Sequence, residues 1–405
     1  MIEEKITKSE EFGLERFRAI VGEVFHIEDV TIGGEKQSYM IRYRGKVVGD
    51  SEKAYDFLAE RLRPYGITPL FRKEEERHVV LLINGVIDPK PSNPWVNVGM
   101  FVLTLFSVIY AGALAAPSSG AANSLLEAFL DPLFHLQDGL PFALSLLAIL
   151  LAHEFGHYLA GRSHRTHVTL PYFLPFPISP FGTLGAFIQL KEPPKNKRIL
   201  LDIGIAGPLS GLIVAIPVLL LGLSLSHVEP LRLSSGGVMQ MEGNSVLYLL
   251  SKYLVFGKLL PSPGSYGGLS PLAYWVRYFF TGQPIPFGGL DVMIHPIAFA
   301  GWAGLLVTAL NLIPAGQLDG GHLLYGLFGS KARYLLPVIL GALVLLGFVW
   351  SGWWLWVFIV LLLGRTHAEP LDQITQLDLP RKAVAVLGIL VFLLVFTPVP
   401  LIVFT

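Results

Sequence analysis

Residues 141 to 157 read Pro-Phe-Ala-Leu-Ser-Leu-Leu-Ala-Ile-Leu-Leu-Ala-His-Glu-Phe-Gly-His. An uncharged apolar run therefore leads directly into His153, Glu154 and His157. Two imidazoles and a carboxylate at membrane depth cost several kcal/mol unless a ligand or partner compensates, so ionisable residues inside such a run mark a functional site. Histidines four apart share one helix face, close enough for both to bind a single metal ion, and Glu154 is placed to reach water there as a general base. With 11 His and at most 30 Glu in 405 residues, random placement yields HExxH on the order of 2% of the time. Chance would also favour the charged part of the chain over an apolar run.

Composition sets the surroundings. Hydrophobic residues make up 52% of the chain and charged ones only 15%, and mean hydropathy is +0.57, too apolar for an ordinary soluble globule. Charge is concentrated at one end: residues 1 to 90 hold 32 of the 60 charged side chains. Residues 1–93 are therefore expected to form a water-soluble domain and residues 94–405 a lipid-embedded one. A formal net charge of zero gives no reason to expect a nucleic-acid partner. Cysteine is absent, which excludes disulfides, thiolate ligands and cysteine nucleophiles. The acidic, amphipathic N-terminus does not read as a cleavable signal peptide.

In the charged part, residues 9 to 25 and 52 to 63 carry apolar positions at helical spacing. Residues 36 to 47 and parts of 68 to 84 alternate like half-buried strands. The expectation is a small α/β domain ending near Pro94. Beyond it, apolar runs predict membrane helices over 96–116, 141–159, 200–223, 292–312 and 383–404, each near the ~20 residues a bilayer core requires. Residues 334–364, interrupted at Ser351-Gly352, add a hairpin of two shorter spans, for about seven in all. A further interfacial or re-entrant helix is expected within 246–260. The stretch 117–140 has no Lys or Arg, whereas Arg162, Arg165, Lys191, Lys195, Lys197, Arg198, Arg365, Arg381 and Lys382 gather at the other ends of the spans. That bias places the N-terminal domain in the cytosol of a multi-pass protein of the cell membrane.

A hydrolytic zinc site needs a third protein ligand and leaves the fourth position open. With no cysteine, His, Asp or Glu must supply it. Residues 311–322 read Asn-Leu-Ile-Pro-Ala-Gly-Gln-Leu-Asp-Gly-Gly-His, a polar break between apolar runs. A continuous helix from 295 to 328 would measure about 50 Å, too long for one span. The break can therefore lie within the membrane, where irregular backbone lines a cavity, and Asp319 becomes the candidate third ligand. The plainer alternative makes Asp319 a helix N-cap at an interfacial turn.

The two elements together resemble the site-2 protease family of intramembrane zinc metalloproteases, in the subgroup with a soluble N-terminal domain. His-Glu-Phe-Gly-His at 153–157 and Asn-Leu-Ile-Pro-Ala-Gly-Gln-Leu-Asp-Gly-Gly at 311–321 match its two motifs in order, and the resemblance spans nearly all of residues 94 to 404. It implies one Zn²⁺ held by His153, His157 and Asp319, with Glu154 as catalytic base and acid. It also implies a peptidase that cleaves within or near transmembrane segments of membrane-protein substrates. Asn311 matches an asparagine thought to contact substrate or oxyanion, although a buried Asn also serves to tie broken helices together. Residues 168–190 are apolar yet broken by Pro and Gly, and resemble the family's membrane-associated β-hairpin. Its edge from Gly185 through Phe187 to Leu190 is suited to pair with an unwound substrate strand.

The remaining histidines carry less. His164 and His167 sit three apart beside Arg162 and Arg165 and read as interfacial side chains. His322, one turn after Asp319, is expected to support the site rather than bind the metal, with a role as substitute ligand left open. His26, His78, His135, His227, His295 and His367 receive no role. An ion transporter is the competing class, because broken helices also build midplane ion sites. It needs no Glu beside its ligands, and no internal repeat is evident.

Overall fold

The structure of the protein is a computed structural model that describes residues 8–34, 36–116, 124–231, 239–364 and 369–404. The charged part forms helix α1 (Lys8–Gly22), strands β1 (Phe25–Ile32) and β2 (Ile41–Val47), helix α2 (Ser51–Leu62), and strands β3 (Ile67–Glu74) and β4 (Arg77–Asn84). The strands make one antiparallel sheet in the order β1-β2-β4-β3. Helix α2 starts where the Asp50 side chain accepts a hydrogen bond from Lys53 N at 3.0 Å, satisfying one of the orphan donors of its first turn. Its Leu58 and Leu62 pack with Phe25, Ile41, Tyr43, Phe71, Val80 and Leu82 of the sheet. The helix expected over 9–25 ends at Gly22, and Phe25 instead opens β1.

The apolar part follows as α3 (Pro94–Leu114), α4 (Leu125–Phe134), α5 (Leu140–Ser163), β5 (Tyr172–Pro175), β6 (Thr183–Phe187), α6 (Lys197–Ser224), β7 (His227–Pro230) and β8 (Met239–Glu242). Then come α7 (Val246–Phe256), α8 (Pro271–Thr281), β9 (Leu290–Met293), α9 (Pro296–Asn311), α10 (Asp319–Phe328), α11 (Leu336–Gly347), α12 (Trp353–Leu363), α13 (Leu379–Val395) and β10 (Leu401–Phe404). Among the described residues four helical runs are long and apolar enough to cross a membrane: 94–114, 136–163, 197–224 and 319–347. The chain is thus a multi-span helical membrane protein with small sheets.

Two expected spans come out shorter. Residues 290–293 pair with β7 instead of joining α9, which is left with 16 residues. The final helix stops at Val395 rather than running to Phe404. Pro398 and Pro400 cannot continue it, and residues 401–404 return as β10 against β8. The interrupted run 334–364 forms α11 and α12, which fold together around Leu343, Trp353 and Val360. Helix α7 occupies the position of the extra helix anticipated at 246–260. Arg365, one of the residues used for orientation, lies outside the described residues.

At the centre α5, α6 and α9 pack through small residues. A Cβ at Gly301 would meet Leu219 at 2.6 Å, and one at Gly304 would meet Ile149 at 2.9 Å, so the backbones approach as they do at glycine-lined helix crossings in membranes.

The sheet is fastened to this bundle by residues 371–373, which run parallel to β3 on its outer edge. Phe71 N donates to Leu371 O at 2.9 Å, and Gln373 N donates to Phe71 O at 3.1 Å. On their other side Asp372 N donates to Lys195 O at 2.7 Å. The fully buried Asp372 carboxylate accepts from Ile374 N at 2.7 Å and from the Thr375 hydroxyl. Burial pushes its pKa above the usual aspartate value, against those hydrogen bonds. Glu52 of α2 pairs with Arg198 at 2.9 Å, and Asp56 with Lys195 at 2.6 Å. Surface pairs of this kind contribute at most about 1 kcal/mol each, so the backbone pairing is the firmer part of the junction.

Candidate metal centre

Helix α5 carries His153, Glu154 and His157, which are 3%, 3% and 6% exposed. Asp319 reaches them from the far side of the break. Helix α9 ends at Asn311, residues 312–318 are non-helical, and α10 begins at Asp319. Two glycines permit this path. Gly316 takes a left-handed φ of 54°, and Gly320 lies so close to Leu312 O that a Cβ would overlap it. The N-cap position of α10 belongs to Leu318 with no side-chain cap, so the capping alternative for Asp319 does not hold: its carboxylate faces the imidazoles.

The three donors form a nearly equilateral triangle. His153 Nε2 and His157 Nε2 lie 3.2 Å apart, and each is 3.3 Å from Asp319 Oδ2. Donors bound at about 2.0–2.1 Å in a tetrahedron are separated by about 3.3 Å, so the set fits a zinc-sized ion. The tautomer of His157 fits as well. His157 Nδ1 lies 2.7 Å from Ile203 O, and because a carbonyl only accepts, Nδ1 carries the proton and Nε2 presents a lone pair to the triangle. Among the described residues, His153, His157 and Asp319 are the one group of three or more such side chains whose ligand atoms all lie within 4.8 Å of one another.

Glu154 borders the triangle without belonging to it. Its Oε2 is buried and has no hydrogen-bond partner, which is costly for a carboxylate unless something at the site engages it. A cavity of about 190 Å³ opens beside it, lined by His153, Glu154, His157, Asn311, Asp319 and His322 together with Phe187 and Ile188. Asn311 Nδ2 is 3.2 Å from His153 Nε2. His322 lines the cavity but stands outside the donor triangle.

Strands β5 and β6 form the anticipated hairpin, with Tyr172 opposite Phe187. Phe187, Ile188 and Leu190 line the cavity, whereas Gly185, with φ of 98°, lies in β6 and does not. His164 and His167 are not a metal pair: they engage Asp202 at 2.9 Å and Glu192 at 2.8 Å.

A set of residues escaped the motif reading. Helix α6 passes the site with Gly204, Gly207 and Gly211 turned towards it. A Cβ at Gly204 would meet His322 Cβ at 2.7 Å, one at Gly211 would meet His153 Cβ at 3.1 Å, and one at Gly207 would overlap the His157 ring. Glycines at spacings of three and four along Gly-Ile-Ala-Gly-Pro-Leu-Ser-Gly are the signal that could have found them. Gly207→Ala is expected to displace the His157 ring and weaken zinc binding about 10–100-fold, as loss of supporting contacts to a ligand does. Titration against a chelating dye measures it, and unchanged affinity would show that the ring has room to move.

Residues 141–349, just over half of the chain, match the model of peptidase family M50. The chain belongs to peptidase family M50, the site-2 protease family. The matched stretch of this M50 chain begins at the foot of α5 and includes α6, α9, α10 and α11, so it contains every donor of the triangle. Similar proteins include the probable zinc metalloprotease EGY1, chloroplastic, of Oryza sativa subsp. japonica, 32% identical over 79% of this chain and 53% of that protein. The protein of the same name from Arabidopsis thaliana is 30% identical over 91% of this chain and 64% of its own length. The probable zinc metalloprotease EGY2, chloroplastic, of Oryza sativa subsp. indica is 28% identical over 89% of this chain and 62% of its length. The M50 chain thus spans between about half and two thirds of these relatives. No solved structure matches it.

Proposed function

We propose that the protein is an intramembrane zinc metalloendopeptidase that hydrolyses peptide bonds within or near transmembrane segments of membrane-protein substrates. One Zn²⁺ per chain is held by His153, His157 and Asp319. The observation that carries this reading is the buried Glu154 side chain, its Oε2 without a hydrogen-bond partner, beside a donor triangle of zinc dimensions. A transport site needs the ligands but has no use for that carboxylate. When bound, zinc supplies Lewis acidity that polarises a carbonyl and makes water more acidic. Glu154 accepts the proton of the attacking water and returns it to the leaving amine. Asn311, held beside His153, offers an amide donor to the carbonyl oxygen under attack.

A helical substrate hides its carbonyls in internal hydrogen bonds and must unwind before cleavage. Strand β6 pairs with β5 on one side, and among the described residues no strand pairs on the other. The edge continuing from Gly185 through Phe187 to the cavity can receive an extended substrate by strand addition. A second cavity of about 680 Å³, sharing Phe187, Ile188, Leu190, Gln317 and His322 with the first, provides the way in. His322 supports the site without binding the metal.

Residues 1–93 form a soluble domain and residues 94–405 the protease domain. Helices α9, α11, α12 and α13 join α3, α5 and α6 to make seven spans. The bias of basic residues to one end of the spans favours a cytosolic soluble domain, and on this reading the protein belongs to the cell membrane. The test is cleavage of a fluorescently labelled transmembrane peptide by the full chain in detergent, with and without a zinc chelator. Cleavage that stops on chelation and returns with zinc supports the reading, and no cleavage by the zinc-loaded protein overturns it.

A further inference from the structure

Below the sheet domain, where α3 begins and α5 ends, lies a cleft of about 410 Å³ separate from the metal centre. Three cations line it: Lys90 from the segment before α3, Arg162 from the last turn of α5, and Lys191 from the chain after the hairpin. Among the described residues none of the three has an ion-pair partner. Their backbones are held. Lys90 sits between Pro89 and Pro91, which restrict the segment to extended conformations. Lys191 N donates to His167 O at 2.8 Å. The neighbouring acid, Glu192, is already engaged by the backbone N and the ring of His167, each at 2.8 Å, so its charge is offset in place.

A second observation points to a ligand. Asn97, 4% exposed, lines the same cleft. Its Nδ2 donates to Leu170 O at 2.8 Å and Pro171 O at 3.1 Å, while its Oδ1 is buried with no partner. Both contacts of Nδ2 are carbonyls, which only accept, so the amide orientation is settled and a buried acceptor is left open. That acceptor asks for a hydroxyl or amine donor. The level along the spans is that of lipid headgroups: Trp95, 76% exposed at the start of α3, and Tyr158 beside the cleft are the aromatic residues that mark a membrane–water interface.

We propose that this cleft binds the phosphate of an anionic, hydroxyl-bearing glycerophospholipid headgroup, with Lys90, Arg162 and Lys191 around the phosphate and Asn97 Oδ1 accepting from the hydroxyl. Basic pockets between membrane helices recognise lipid headgroups in this way. The inference does not rest on the hydrolytic reading of the metal centre. Its consequence is an anchor at the end of the helix that carries His153 and His157, set by the lipid composition around the protein.

Native mass spectrometry of the delipidated full chain, offered equimolar phosphatidylglycerol and phosphatidylcholine, tests it. The wild type should retain phosphatidylglycerol selectively. Neutralising one cation should weaken retention about fivefold, so Arg162→Gln alone gives about that factor and the triple change K90Q/R162Q/K191Q a loss on the order of 100-fold. The single variant serves if the triple one does not fold. Phosphatidylmethanol, anionic but without the hydroxyl, should be held about fivefold more weakly than phosphatidylglycerol. Equal retention of the two original lipids, or of phosphatidylglycerol by wild type and Arg162→Gln, overturns the site. Equal retention of phosphatidylmethanol overturns the role of Asn97. An added arm with inorganic phosphate identifies the source: displacement of lipid by dilute phosphate would make the ligand a free anion and overturn the lipid assignment.

Discussion

Glu154→Gln should lower cleavage of a labelled transmembrane peptide by about 10²–10⁴-fold, the range a general acid–base contributes, while zinc content stays at that of the unchanged protein. The amide replaces the carboxylate with nearly the same shape, so the cavity beside this residue, itself only 3% exposed, keeps its form. The three donors that fit the metal come from His153, His157 and Asp319, leaving zinc retention untouched. What the amide cannot do is take a proton from water. Metal analysis and turnover must therefore be measured on the same preparation. Full turnover with zinc present would remove Glu154 from the chemistry, and loss of zinc along with turnover would make it a ligand instead.

The metal centre was legible because its chemistry is written in short spacings. Histidines four apart on a helix needed only an apolar context to be read, and the structure places both imidazoles and Asp319 within hydrogen-bond range of one another. Gly207 and its neighbours on α6 were legible only as a close-packing stripe, through their spacing, and not as site residues, because glycine contributes no group of its own. Its role is to be absent where the His157 ring must lie, which only the approach of two helices defines. Strand β1 was hidden for a different reason. Its apolar residues fall on odd positions at Phe25 and Ile27, then on even ones at Val30 and Ile32. A bulge interrupts the register between Ile27 and Asp29, and Val30 and Ile32 end up 37% and 53% exposed. Burial along the strand keeps alternating through the bulge, so the change of parity belongs to the apolar residues alone, and a reading for strict alternation loses phase there. The three residues that fasten the sheet to the bundle, Leu371-Asp372-Gln373, carry no periodicity at all. Their pairing with Phe71 is a contact across about three quarters of the chain, beyond any local signal.

Asp319→Ala should weaken zinc binding on the order of 10²–10³-fold. Apparent binding of about 10–16 kcal/mol at a four-coordinate site amounts to roughly 2.5–4 kcal/mol per ligand, and this substitution removes one donor outright. It leaves His153 Nε2 and His157 Nε2 facing each other at 3.2 Å with no anion to share. The same measurement on His322→Ala separates the two candidates for the third position. His322 lines the cavity without entering the donor triangle, so that variant should keep zinc within about tenfold, at the mild end of losses from supporting contacts. Titration of both proteins against a competing chelator gives the answer directly. If His322→Ala releases zinc while Asp319→Ala holds it, the ligand set is wrong and the polar break between α9 and α10 serves His322 instead.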